Sequence, residues 1–199
     1  VLNEGGTGTV TFISDDRTEI KKSIFQGVNP DDDLGQFVQS IFFHDGLAYM
    51  ISGGSNFITV VDRFTFEKVG EVAGGLENPR YGTVINGKAY VTNSATFDSL
   101  TDDYVAVIDL ESFTVENTIE LGNIAEQIIS YNENLYVMNA DGFNGSEVTI
   151  IDTDQLFTKT LNVGDGLNSI SRNKNSVYAL SNSSLTEIDL STNEITATQ

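Results

Sequence analysis

Tyr90-Val91-Thr92-Asn93, then Tyr104-Val105-Ala106-Val107-Ile108-Asp109, then Val115-Glu116-Asn117-Thr118-Ile119-Glu120-Leu121-Gly122, is the stretch on which the fold turns. Its segments are rich in Val, Ile, Thr and Tyr, whose branched or aromatic side chains suit a pleated, half-buried surface. Asn86-Gly87 ahead of it and Leu110-Glu111-Ser112 within it are turn signals, and the polar stretch 93–103 separates the first two segments. With 81–85 in front, the reading is four short strands: 81–85, 89–92, 104–109 and 115–121.

The same pattern recurs. Tyrosines 49, 90, 136 and 178 stand in similar surroundings at spacings of 41, 46 and 42 residues. An aspartate closes an apolar run at 62, 109, 152 and 189, at spacings of 47, 43 and 37. Two anchors repeating in the same order at one period mark structural repeats. The other repeats read as strands 37–43, 47–52, 57–62 and 67–72; 127–131, 135–139, 147–152 and 158–163; and 169–172, 177–181, 185–189 and 194–198. No segment sustains a helical period. Four strands per ~40–45 residues is the signature of β-propeller blades, which makes the chain all-β and built of four-stranded antiparallel blades. The repeated Tyr supplies a ring between blades. The repeated Asp is suited to an Asx-turn.

Tryptophan is absent, so the repeats are not of the WD or kelch type. The Tyr90–Asn93 and Val105–Asp109 segments resemble the repeat of the YVTN (YncE-like, surface-layer-like) β-propeller family, with looser copies at 136–139 with 148–152 and at 49–52 with 58–62. That resemblance covers nearly the whole chain and implies a propeller of about seven blades. By strand count, 1–27 is a partial blade lacking its inner strand, with 19–25 as its outermost strand. The blades 37–73, 80–122, 126–164 and 168–199 follow. About 4.7 blades are then present in one domain, the expectation being part of a larger ring; a five-bladed ring with one three-stranded blade is the rival.

Composition narrows the chemistry. The 199 residues carry 10 Lys+Arg against 29 Asp+Glu, a formal net charge of −19. Such a charge repels phosphate backbones and anionic headgroups, so nucleic acid is not an expected partner. No cysteine means no disulfide, no thiolate nucleophile and no thiolate-bound zinc or iron–sulfur cluster within these residues. The single histidine, His44, falls in a short turn and reads as an exposed turn residue. No apolar run approaches the ~18 residues of a transmembrane helix. No signal peptide is evident, though a processed exported protein would look the same.

In a four-stranded blade the turns alternate between two faces. One face here has short turns, at 44–46, 86–88, 132–134 and 173–175. The other carries the longer segments 27–36, 73–80, 93–103, 141–146 and 164–168, and long loops on a rigid scaffold are where binding residues collect. The candidate ligand-binding residues on that face are Arg80, Tyr81, Asn93, Phe97, Glu126, Gln127, Asn139, Phe143 and Asn168. Amides, aromatics and one arginine suit a small polar or glycan-like molecule, or a loop of a partner protein. The acidic run 31–33 and the set Asn139, Asp141, Asn144 and Glu147 are oxygen-rich, and the latter lacks the spacing of a calcium loop; both read as solvated, with no metal or other cofactor expected.

The expected function is non-enzymatic binding. The family resemblance implies an exported protein, periplasmic or at the cell surface as a lipoprotein, capturing a ligand and assisting an outer-membrane transporter. The alternative is a structural or adhesive surface-layer-type module. A quinoprotein-like oxidoreductase is a third reading, disfavoured because the adjacent cysteines and stacking Trp of such enzymes are missing.

Overall fold

The computed structural model describes residues 1–96, 98–141, 144–155 and 157–199, the side chain of Asp141 excepted. Four sheets among the described residues are four-stranded and antiparallel, each a meander in chain order. The second blade is Val38–His44, Leu47–Ser52, Phe57–Asp62 and Lys68–Ala73. The third is Pro79–Ile85, Lys88–Asn93, Tyr104–Asp109 and Thr114–Glu120. The fourth is Ile128–Tyr131, Asn134–Asp141, Asn144–Asp152 and Phe157–Asn162, and the fifth is Ser169–Arg172, Ser176–Leu180, Leu185–Asp189 and Glu194–Thr198. Ahead of them the first blade is partial: Leu2–Asn3 pairs with Thr9–Val10, and Phe12–Ile13 with Ile20–Lys21. The fold is a propeller, with inner strands 38–44, 79–85, 128–131 and 169–172 packed in succession.

Strand alternation builds the core between the blades. In the second blade Tyr49 and Ile51 face the third, joining Ala89, Val91, Ala106 and Ile108, while Ala48 and Met50 face the first, joining Val10, Phe25 and Leu34. Tyr90 likewise points into the third–fourth interface and Tyr136 into the fourth–fifth. Tyr49, Tyr90 and Tyr136 are therefore buried rings directed at the following blade, and Tyr49 stacks on Phe42 at 4.7 Å. The repeated aspartates work as turn anchors: Oδ1 of Asp62, Asp109, Asp152 and Asp189 each accepts two backbone N–H groups, two and three residues on, at 2.7–3.1 Å.

Three local expectations are corrected. The segment 19–25 is not one strand, because Ile20–Lys21 gives way to a short helix, Ile24–Val28. The helix buries Phe25 completely, and Gln26 Nε2 donates to the carbonyl of Gly8 at 2.9 Å. Strand 37–43 starts one residue later, because Phe37 is left-handed with φ 51°. The segment 141–146 is not a free loop, since pairing continues to Asp141 with Asn144 across a bulge at Ala140 and Gly145. Gly145 has φ 104°, and a Cβ there would lie 2.2 Å from the carbonyl oxygen of Asn139.

Candidate functional site

Three neighbouring blades contribute one polar chain along their inner strands. Arg80, second in its strand, donates from Nε and Nη2 to the two carboxylate oxygens of Glu126, both at 2.9 Å. Its Nη1 donates to Gln39 Oε1 at 3.0 Å, and Gln39 Nε2 donates to the Tyr81 hydroxyl at 3.1 Å. Burial alone would push the guanidinium pKa down; the bidentate hydrogen bonds and charge of Glu126 outweigh it, and the net shift is upward. The arginine is thus neutralised in place.

Above this chain opens a cleft of about 460 Å³, lined by Glu4, Phe37, Gln39, Gly53, Gly54, Asn56, Glu77, Asn78, Arg80 and Ala95. The size lies within the range of small-molecule sites. Four of its lining residues are non-glycine residues with positive φ: Phe37 (51°), Asn56 (58°), Asn78 (47°) and Ala95 (28°). Such conformations cost free energy and cluster at functional sites. They are held by neighbours: Asn56 Oδ1 accepts the Asn78 N–H at 2.8 Å, and Asn78 Nδ2 donates to Ser94 Oγ at 2.6 Å. The Phe37 ring lies over Gly54, where a Cβ would come within 2.4 Å of it, yet the phenylalanine remains 52% exposed. Glu4 and Glu77 are exposed, and with Arg80 already paired the cleft is net negative. An exposed ring, several amides and carboxylates can hold a polar molecule that is neutral or cationic.

The residues expected from the sequence divide. Arg80 lines the cleft, with Glu126 and Tyr81 one contact behind it. Gln127 turns the other way and accepts the backbone N–H of Ile170 at 3.0 Å, tying the fourth blade to the fifth. Asn168 is exposed but bonded, to Gly166 O in its own loop and to Asn182 Oδ1 in the turn before Leu185–Asp189. Asn93 and Asn139 are 0% and 1% exposed. Asn93 accepts the Glu77 N–H at 3.0 Å and donates to Val91 O; Asn139 donates to Ile124 O at 2.6 Å and accepts from Thr149 Oγ1 at 2.6 Å. The fourth residue of the repeated strand motif therefore fastens the segment entering its own blade. Phe97 and Phe143 lie outside the described residues.

Phe37, Gln39, Asn56 and Glu77 are the residues that sequence reasoning missed. The signal available was the Gly53-Gly54 pair, which breaks the repeat, because a site appears where one blade differs from the others. Elsewhere, Asp32 pairs with Lys68 at 2.6 Å, Asp33 caps the Gly35 N–H at 2.6 Å, and Glu147 accepts from Asn123 at 2.8 Å. Among the described residues no three His, Cys, Asp or Glu side chains converge as metal ligands. His44 lies 3.2 Å from Asp45 at its hairpin turn. No helix among the described residues is long and apolar enough to cross a membrane.

Among solved structures, Sqt1 of Saccharomyces cerevisiae is similar with a TM-score of 0.71 at 12% identity, over 99% of this chain and 57% of that one. Dihydro-heme d1 dehydrogenase NirN in complex with DHE gives 0.66 at 17% identity, over 99% and 42%. The WD40 β-propeller domain of Doa1 gives 0.65 at 10%, over 84% and 54%. The chain spans about half the length of these structures, and at such identities the likeness is one of fold. No curated protein sequence matches it. A family model described as a domain of unknown function, DUF5074, matches residues 1–199. The chain accordingly belongs to the DUF5074 family, on a β-propeller scaffold.

Proposed function

We propose that this chain is a non-enzymatic binding propeller that takes a small polar, non-anionic ligand in the cleft of its long-loop face. The observation that carries the reading is the gathering of Phe37, Asn56, Asn78 and Ala95, all left-handed, around one net-negative cleft. The resemblance of the Tyr90–Asp109 repeat to YVTN-type propellers supports an exported setting, at the cell surface or in the periplasm, with delivery to an outer-membrane transporter as the role. The acidic surface, at −19, suits a soluble exported protein.

Native mass spectrometry of the protein isolated from its source tests this. A small molecule retained by the wild type and by His44→Ala, but lost from Gln39→Ala/Glu77→Ala, is the expected result. Retention by that double variant, or turnover of the bound molecule, overturns the proposal.

A further inference from the structure

The fourth–fifth interface departs from the first two on the opposite, short-turn face. Four residues after the repeated aspartate, each described outer turn has a left-handed residue: Phe66 (φ 65°), Phe113 (φ 55°) and Asn193 (φ 56°). Phe66 and Phe113 turn their rings into the core shared with the preceding blade. Phe113 has room because it lies against Gly70, where a Cβ would meet the ring at 2.6 Å. Strand register locates the equivalent of Gly70. Tyr49, Val60 and Gly70 form a row across the second blade, and Tyr136, Ile150 and Lys159 form the same row in the fourth. A Gly70–Phe113 contact between the second and third blades is thus replaced by Lys159–Asn193 between the fourth and fifth.

Without its aromatic plug the groove is a cavity of about 530 Å³ floored by Ile150 and edged by Asp152, Phe157, Lys159, Thr192 and Asn193. Its polar groups are pre-arranged. The buried Tyr136 hydroxyl, its pKa pushed up to about 12 chiefly by burial, stays protonated and donates to Asn193 Oδ1 at 2.5 Å. That fixes the amide and leaves Nδ2 as its free donor. Lys159 Nζ donates to Asn193 O at 2.9 Å and Glu194 Oε1 at 2.6 Å, so its charge is already balanced. Asp152 uses Oδ1 on its own turn, which leaves Oδ2 available. At the rim Phe157 is 63% exposed. An aromatic face beside an amide donor and a carboxylate acceptor, with no unpaired cation, matches a ring that is apolar on one face and hydroxylated at its edge.

We infer that this inter-blade groove is a second binding site, independent of the long-loop cleft, for a neutral saccharide whose ring stacks on Phe157 and whose hydroxyls meet Asp152 and Asn193. Calorimetric titration of the whole protein with maltotriose, cellotriose and chitotriose tests it. Saturable binding of at least one is expected, weakened about tenfold by Phe157→Ala, which removes one exposed stacking ring. Lys159→Gly/Asn193→Phe, which copies the second–third packing, should abolish binding while the protein still melts cooperatively. Should that double variant fail to fold, the surface variant Phe157→Ala alone decides. No binding of any of the three, affinity unchanged by Phe157→Ala or by a folded Lys159→Gly/Asn193→Phe, or binding lost instead in Gln39→Ala/Glu77→Ala, overturns the inference.

Discussion

Arg80 and Glu126, 46 residues apart and on adjacent blades, meet in a two-bonded ion pair whose side chains are only 27% and 18% exposed. This pair, with Gln39 on the other side, links three blades at the floor of the candidate cleft. Removing Glu126 leaves a half-buried guanidinium without its counter-charge and with only its bond to Gln39. Glu126→Ala should therefore destabilise the fold by about 1–3 kcal/mol in chemical denaturation, given the remaining solvent screening. Arg80→Met/Glu126→Leu should cost less than the sum of the two single truncations, because no orphaned charge remains.

Asn139 stands behind the cleft face as part of the scaffold. Its loss orphans the Ile124 carbonyl and leaves the Thr149 hydroxyl only its longer contact with Thr160 Oγ1, at 3.3 Å. Asn139→Ala is expected to cost about 1–3 kcal/mol of stability. A shift in denaturation midpoint with unchanged capture of the cleft's ligand is the pattern that a scaffold residue gives.

Gly70 is a packing position rather than a turn. Gly70→Ala places a methyl 2.6 Å from the Phe113 ring, which is backed by the core and cannot withdraw freely. Overpacking of this kind costs about 1–3 kcal/mol. Adding Phe113→Leu should recover part of the loss in thermal melts, since the smaller side chain makes room.

Acid sensitivity follows from the turn aspartates. The backbone N–H of Ser112 first, and its hydroxyl next, hold the Asp109 carboxyl below its ordinary value of 3.8; Ser191 does the same to Asp189, hydroxyl first and then N–H. A folded pKa below the unfolded one means the unfolded chain binds more protons as pH drops. The contribution is therefore fully present above the ordinary carboxylate value and lost as pH falls through the lower folded values. Asp109→Asn/Asp189→Asn keeps the turn acceptors but cannot titrate. Melting temperature plotted against pH should fall less steeply below about pH 4 in that variant than in the wild type.

Much of the blade architecture was legible in the chain because each blade is made locally. Enrichment in Val, Ile, Thr and Tyr, turn signals such as Asn86-Gly87 and the closing aspartates act over a few residues, and strands such as 47–52, 57–62, 104–109 and 185–189 fall where the pattern puts them. Two segments escaped for physical reasons. At 24–28 the burial of Phe25 beneath the partial blade overrides strand propensity. At 141–146 polar composition suggests a loop, whereas Gly145 allows the bulge that keeps the strands paired.

The amino-acid sequence by itself determined the fold unit, its repetition, its acidity and the absence of thiol chemistry, since all of these reside in short-range pattern and composition. Tertiary structure alone decided which residues meet. It took Asn93 and Asn139 into the interior, assembled Phe37, Asn56, Asn78 and Ala95 around one cleft, and set Lys159 and Asn193 where Gly70 and Phe113 stand two blades earlier. Contacts between blades join residues some 40 positions apart, and whether they touch depends on strand register and blade packing, which no local pattern encodes.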